Sequence, residues 1–360
     1  MDKITRRNFI KKTAVAAAGI TAFPMIFIPR AKAHWEPKTI VHPNVDNLRV
    51  VGITDAKMIK PGASPYEVDR FIVQKAVWEN IDRLACALAQ TSDPQQAWRT
   101  IFIKPPKKAW SDTVVAIKFN SVHHKGPDTP SAIVAKICYS LIRFLGVKPP
   151  NIYIYDAVHG MYMKNFKGLP EGCRVEKLWG GLVAETQIPK PWSDVINEGK
   201  SKCLKQLVDG SIDILINIAK CKGYIAPPHL GSFSMAMKNH FGSFYPLWGH
   251  HPYSGLDYLI AINQTQEILG SMDKRTGKVL YPRQQLCLID GLWTSDHLSA
   301  HQTNFLAMGV FAPIVDYQVG TKFLKEKMGW NVPAAVTKRM LSDFGYDESD
   351  LPAGGKMIEV

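Results

Sequence analysis

Four lysines stand where apolar segments of this chain give out. Lys118 follows Val114-Val115-Ala116-Ile117, Lys220 and Lys222 follow the run from Ile212 to Ile218, and Lys238 closes Phe233 to Lys238. Asn120 and Asn239 lie beside two of them, and Asp156 and Asp290 end two further apolar runs, Asn151 to Tyr155 and Leu286 to Ile289. Lysine is almost never buried unless it is paired. Four of them at one edge of a sheet build a positive field that carboxylates or a bound anion must answer. The chemistry to expect is an anion site for carboxylate or phosphate groups. Lys118, Lys220 and Lys238 would hold charge, and Asn120 and Asn239 would orient the ligand. A desolvated lysine with a lowered pKa could also act as base or Schiff-base nucleophile. Alternatively, each lysine is a solvated strand end or pairs with Asp156, Asp290 or Asp316.

Histidines offer a second chemistry. His123 or His229 could move protons. His123, His124, His229, His240, His250 and His251 could ligate a metal together with Asp156 or Asp290, and His124 and His229 are the metal-ligand candidates. No H-E-x-x-H or comparable spacing occurs, and there is no G-x-S-x-G elbow, P-loop or G-x-G-x-x-G. Asp290 and Asp296 could pair as carboxylates, although an Asp before Gly is more often a turn residue.

The elements that must position these groups read as strand and helix in alternation. Val114 to Ile117 is a buried strand, spilling into a polar loop that holds His123, His124 and Asp128. Thr129-Pro130 opens a helix to Leu145, with Thr129 as cap and Gly146 as stop. Asn151 to Tyr155 is the next strand, so the unit predicts parallel pairing with a right-handed crossover. Ile212 to Ile218 and Leu286 to Ile289 are further buried strands, and open α/β sheets place their sites at such carboxyl ends. Upstream, His34 to Asn47 reads as a loose leader and Leu48 to Thr54 as a strand. Ser64-Pro65-Tyr66-Glu67 is a capping box opening one helix to about Gln90, and 91–111 is a connector. Residues 158–200 are a long irregular excursion, with strands near 173–186. Leu256 to Leu269, Ala312 to Met328 and Pro333 to Phe344 read as helices. The fold class expected is α/β, a mostly parallel, mixed sheet flanked by helices. The segments are 1–33, 34–111 joining the main domain, a main α/β domain at 112–330, and a helix and tail at 331–360.

The formal charge of +13 is uneven. Residues 1–33 carry seven basic residues against Asp2, a net of +6, which leaves 13 − 6 = +7 for the rest. With no run of five basic residues in that remainder, nucleic acid is not an expected partner. Thr5-Arg6-Arg7-Asn8-Phe9-Ile10-Lys11 resembles the twin-arginine export signal. A mild apolar stretch to Ile28 follows, and then Ala31-Lys32-Ala33, a signal-peptidase pattern. The expectation is periplasmic localisation through the twin-arginine export machinery, cleavage after Ala33, and no stable transmembrane segment afterwards, since the stretch is shorter than the ~20 residues a span needs. The six cysteines show no C-x-x-C and no C-x-x-C-H, which argues against an iron–sulfur cluster or c-type haem. One or two disulfides are possible, Cys86 and Cys138 read as core residues, and the cofactor is otherwise open.

Ile117-Lys118-Phe119-Asn120, a strand ending in Asp156, Ile216 to Lys222, Met237-Lys238-Asn239-His240-Phe241-Gly242 and Ile289-Asp290-Gly291 occur in that order. Together they resemble the exported branch of the bacterial and archaeal family known as domain of unknown function three-six-two, over roughly residues 112–330. The helix from Ala312, with Asp316, resembles that family's closing helix. Phe119 and Ala219 stand where the family has Pro, and Gly223-Tyr224 stands where it often has Thr-His, so the nearest histidine becomes His229. Family members can carry an iron–sulfur domain, which has no counterpart here. The resemblance implies an α/β fold and a shared pocket, with no settled reaction. The expected function is an exported enzyme whose site, Lys118, Asn120, His123, Asp156, Lys220, Lys222, Lys238, Asn239 and Asp290, binds a small anionic or polar metabolite. The alternative is a non-enzymatic periplasmic ligand-binding or accessory protein using the same pocket.

Overall fold

A computed structural model describes residues 37–121, 128–156, 165–176, 182–186, 201–223, 233–245, 255–296, 299–352 and 357–360. The export signal of residues 1–33 therefore lies outside the described residues, as do His123, His124, His229, His250 and His251.

The apolar runs become strands for the reason their composition suggests: β-branched residues fit a pleated surface buried on both faces. Strands β1 (Val51–Thr54), β2 (Val115–Lys118), β3 (Ile152–Tyr155) and β4 (Arg174–Val175) come first in the chain. Next are β5 (Leu182–Thr186), β6 (Ser201–Leu204), β7 (Ile214–Gly223), β8 (Phe233–Ser234) and β9 (Phe244–Tyr245). The last are β10 (Gly270–Asp273), β11 (Lys278–Pro282), β12 (Gln284–Ser295), β13 (Ala300–Gly309) and β14 (Ile358–Glu359). One sheet takes the order β14-β1-β13-β12-β7-β2-β3-β4, with β8 paired to β7. Neighbours from β12 through β7, β2 and β3 to β4 are parallel, whereas β13 runs antiparallel to both β12 and β1. The fold is thus α/β with a mostly parallel, mixed sheet flanked by helices.

Helices α1 (Gln74–Ala89), α2 (Pro94–Ile101) and α3 (Ser131–Ser140) are followed by α4 (Ala236–Asn239), α5 (Gly255–Asn263), α6 (Ala312–Gln318) and α7 (Ala334–Ser342). Helix α1 packs on β1 and β13 and against α3, while α4 packs on β7 and α6 on α4 and β13. Among the described residues no helix is long and apolar enough to cross a membrane.

Several local expectations are corrected. The helix expected from Ser64 to Gln90 is broken at Ile72, whose backbone is extended and bridges to Ile59; Ser64 caps only a short turn through Tyr66. The 91–111 connector contains α2, with Asp93 accepting from the N–H groups of Gln95 and Gln96. Thr129 does not cap α3. Its N–H and hydroxyl both donate to the Asn120 carbonyl, and Asp69 instead accepts from the Ser131 N–H at 2.7 Å. The leader is not loose where described: His42 is buried and accepts from the Asn44 and Val45 N–H groups. Helix Leu256 to Leu269 breaks at Gln264-Thr265, and strand β13 went unforeseen because AHQTNF carries no apolar alternation. All six cysteines are free thiols; Cys138 is buried and Cys86 half-buried.

The far end of β7 is closed by a ring. A Cβ at Gly223 would stand 2.2 Å from the Trp330 indole, so that indole lies directly on the glycine backbone. Gly223→Ala should cost about 1–3 kcal/mol of unfolding free energy by overpacking, and Trp330→Leu in the same chain should recover most of it. Urea denaturation measures both; an alanine variant as stable as the parent would contradict the packing.

Candidate functional site

Strand β2 stops at Lys118, which lies opposite Asn217, whereas β7 runs on to Gly223. The carboxyl edge of the sheet is therefore stepped, and the residues of the β7 overhang hang past the end of β2. Side chains alternate along a strand. Asn217 and Cys221 turn to the α4 face, where Asn217 donates to the Ala236 carbonyl and Cys221 meets Met235. Lys220 turns to the other face.

Lys118 is 1 % exposed and spends all three ammonium protons inside the protein. It donates to Asp156 Oδ1 at 2.5 Å, to the Phe119 carbonyl at 2.6 Å and to Asn239 Oδ1 at 3.1 Å. Burial drives this amine downward against the attraction of Asp156, but three acceptors at three donors is the signature of the charged form. Burial would likewise raise the Asp156 carboxyl; Lys118 and the Ser121 hydroxyl and N–H outweigh it and hold the carboxyl below the usual carboxylate range. The two Ser121 groups donate to Oδ2 at 2.6 and 2.8 Å. On the opposite face Lys220 donates to Asp290 at 2.8 Å, and both residues are buried. Lys118 and Lys220, both expected to hold a ligand's charge, thus each hold a carboxylate of the protein's own.

Lys222 and Lys238 differ. Lys222 is half-buried, and its ammonium donates to Asn120 Oδ1 at 2.7 Å across the step. Burial pushes its pKa down to about 7; Lys220 and Lys238 push the same way, while Asp156 and Asp128 oppose them. Burial also pushes Lys238, 9 % exposed, down to about 7. Lys222 therefore feels groups from β7, from α4, from the end of β3 and from the stretch ahead of α3. The structure joins Lys118, Asp156 and Asn239 on the α4 face, Lys222 and Asn120 across the step, and Lys220 and Asp290 on the other face.

A single buried turn, α4, supplies Lys238 and Asn239, with His240 directly after it, and three side chains clamp it. Asp316 of α6 accepts from the Ala236 and Met237 N–H groups, each at 2.8 Å. Asn263 of α5 donates to the Met237 carbonyl at 3.1 Å, and Asn217 of β7 donates to that of Ala236 at 2.8 Å. Asn239 then donates to Asn217 Oδ1 at 2.8 Å. Burial lifts the Asp316 carboxyl to about 7 in spite of the two N–H groups it accepts from. His240 completes the network, 2.5 Å from Gln284 Oε1, with Ser243 joining it to the Tyr155 hydroxyl at 2.9 Å. Burial, with Lys118 adding to it, pushes His240 down to about 4, so the ring is neutral at neutral pH. Asn217 and Gln284 were missed from sequence; the available signal was an amide interrupting the apolar run ILINIA at Asn217, whereas Gln284 only precedes the run that starts at Leu286.

Among the described residues, no three His, Cys, Asp or Glu side chains gather as a metal site. The proton-moving and metal-ligating roles expected of His123, His124 and His229 fall on residues outside the described set. No family model, curated protein or solved structure matches the chain.

Two outcomes test this geometry. Lys118→Met strands Asp156 as a buried charge and should cost about 3–5 kcal/mol in urea unfolding. Lys118→Met with Asp156→Asn should recover most of the loss, and no recovery would mean that the pair is not the coupled unit. Asp316→Asn leaves one helix N–H facing a donor, so amide hydrogen exchange at Ala236 and Met237 should speed up by tenfold or more, for about 1–3 kcal/mol. Unchanged exchange there would remove Asp316 from the clamp.

Proposed function

We propose that this chain is an exported α/β enzyme, related to the domain of unknown function three-six-two family, that binds a small anionic metabolite at the stepped edge between β2 and β7. One observation carries the reading. Among the described residues, Lys222 lies in the field of Lys220 and Lys238 and of the carboxylates Asp128 and Asp156, while Asp156 and Asp290 are held by Lys118 and Lys220 on the two faces of the sheet. Two of those carboxylates are already engaged in buried pairs. An anion supplied from outside would let Lys222 and Lys238 carry full charge in a place where burial now holds both to about 7. Asn120, already fixed by Lys222, would orient it, whereas the Asn239 amide is spent on Lys118, Asn217 and Ile218. The twin-arginine pattern at Arg6-Arg7 supports a periplasmic site of action, and the ordered strand-end motifs support the family relationship.

The titration of the two lysines gives the reading a measurable sign. Each has a pKa below the ordinary 10.5, and a bound anion would raise it, so binding takes up protons. Affinity for oxalate should be flat just below pH 7 and should fall as the pH rises above 7, by up to about tenfold per unit for each lysine, with inorganic phosphate, which itself titrates near neutrality, binding at the same place. Titration calorimetry in two buffers of different ionisation heat should show the proton uptake. In Lys222→Met with Lys238→Met, the thermal stabilisation by these anions should vanish while the cooperative unfolding transition remains. Equal stabilisation in the double variant would overturn the assignment.

A further inference from the structure

Two of the six thiols meet. Cys138, buried on α3, and Cys173, half-buried just ahead of β4, hydrogen-bond side chain to side chain. The segment that leads to Cys173 is docked along α3. At the start of that helix the Lys167 N–H donates to the Ser131 hydroxyl at 3.1 Å, and seven residues further along it Cys173 meets Cys138. Seven residues are close to two helical turns, so both attachments lie on one face of α3. Phe166, at the head of the segment, packs edge-on against Phe119 with ring centroids 4.8 Å apart, next to Lys118 in the chain.

The backbone around Cys173 is fixed on both sides. Behind it, Arg174 pairs in register with Tyr153, and the Glu176 N–H donates to the Ile154 carbonyl at 3.1 Å. Ahead of it, the Cys173 N–H closes a turn onto the Pro170 carbonyl at 3.3 Å, and Gly172 sits in that turn at a φ of +88°. The two thiols are also unequal. Burial first, and then its hydrogen bond to Cys173, pushes the Cys138 thiol well above the usual range. The same hydrogen bond lowers Cys173 against the opposing effect of burial, which suits the more exposed sulfur to react as thiolate. Burial raises the thiols of Cys86, Cys203, Cys221 and Cys287.

We propose that Cys138 and Cys173 form a disulfide in place, by exchange with an external low-molecular-weight disulfide, and so bolt the segment from Phe166 to Cys173 onto α3. The Cys173 thiolate attacks one sulfur of the reagent, whose S–S bond breaks and whose other half leaves as a thiolate. Cys138 then gives up its proton, and its sulfur attacks Cys173 in the mixed disulfide, releasing the second half of the reagent. Two protein thiols are oxidised by two electrons, the reagent disulfide is reduced to two thiols, and the two protein protons end on those thiols. The loop closed in this way, residues 138–173, contains β3 and Asp156. The compartment comes from the export reading above, since an oxidising periplasm holds such disulfides.

The purified full chain is treated with oxidised glutathione, its remaining thiols are blocked with iodoacetamide in urea, and its peptides are mapped without reduction. The expected result is one linked peptide pair, Cys138 to Cys173, with the other four cysteines alkylated. The oxidised chain should melt about 5 °C higher than the chain kept in dithiothreitol. Cys138→Ser, which removes the second attacking thiol, should stop at a glutathione adduct on Cys173 and gain no thermal stability. A parent chain with both cysteines still alkylated, or with glutathione on Cys173 and no linked peptide, would overturn the pairing. That mapping decides the matter whatever the serine variant does. Because the oxidant is added to purified protein, failure of the anion site or of export leaves the result standing.

Discussion

The buried ion pair between Lys118 and Asp156 is the constraint on which the site depends. Taking both charges out of water costs several kcal/mol per ion, and the cost is offset only when every donor and acceptor finds a partner. That condition explains the surroundings. Phe119 and Asn239 take up the remaining protons of Lys118, and Ser121 supplies two donors to Asp156. Asn239 has to be held in register to serve, so the turn that bears it is clamped by Asp316, Asn263 and Asn217. The polar interior is a dependency tree rooted in one lysine, and it fixes the place from which Lys238 projects.

Most of the sheet could be anticipated because its central strands are buried on both faces, which forces continuous apolar runs with abrupt polar ends. Asn217 and Gln284 escaped that logic: Asn217 interrupts an apolar run to bond the α4 turn, Gln284 accepts from Asn217 at the start of another strand, and an amide in a strand carries no label of its partner. Strand β13 was missed because its first half, AHQTNF, is only partly buried and loses the alternation that marks a strand. The break at Ile72 was hidden for a different reason. A bridge to Ile59 overrides a helical pattern that is locally consistent.

At the site, residue types were readable and roles were not. Asn120 and Asp156 lie past strand ends and Lys222 on the β7 overhang, at one edge of a parallel sheet, and Lys238 and Asn239 are brought there by the α4 turn. Which lysines are satisfied internally depends on alternation and on the unequal lengths of β2 and β7, and length is what a sequence reads least well. Lys220 illustrates the point. One residue of register places it opposite Asp290, on the face turned away from α4, and its charge is used there.

The order β14-β1-β13-β12-β7-β2-β3-β4 terminates on both sides in a strand of only two residues, Ile358–Glu359 and Arg174–Val175. Exposed, regular margins invite another chain to continue the hydrogen-bond ladder and so to aggregate. Margins this brief leave too few unpaired amides to template such growth. Among the described residues the broad sheet thus ends in margins of the brief kind that limits edge pairing.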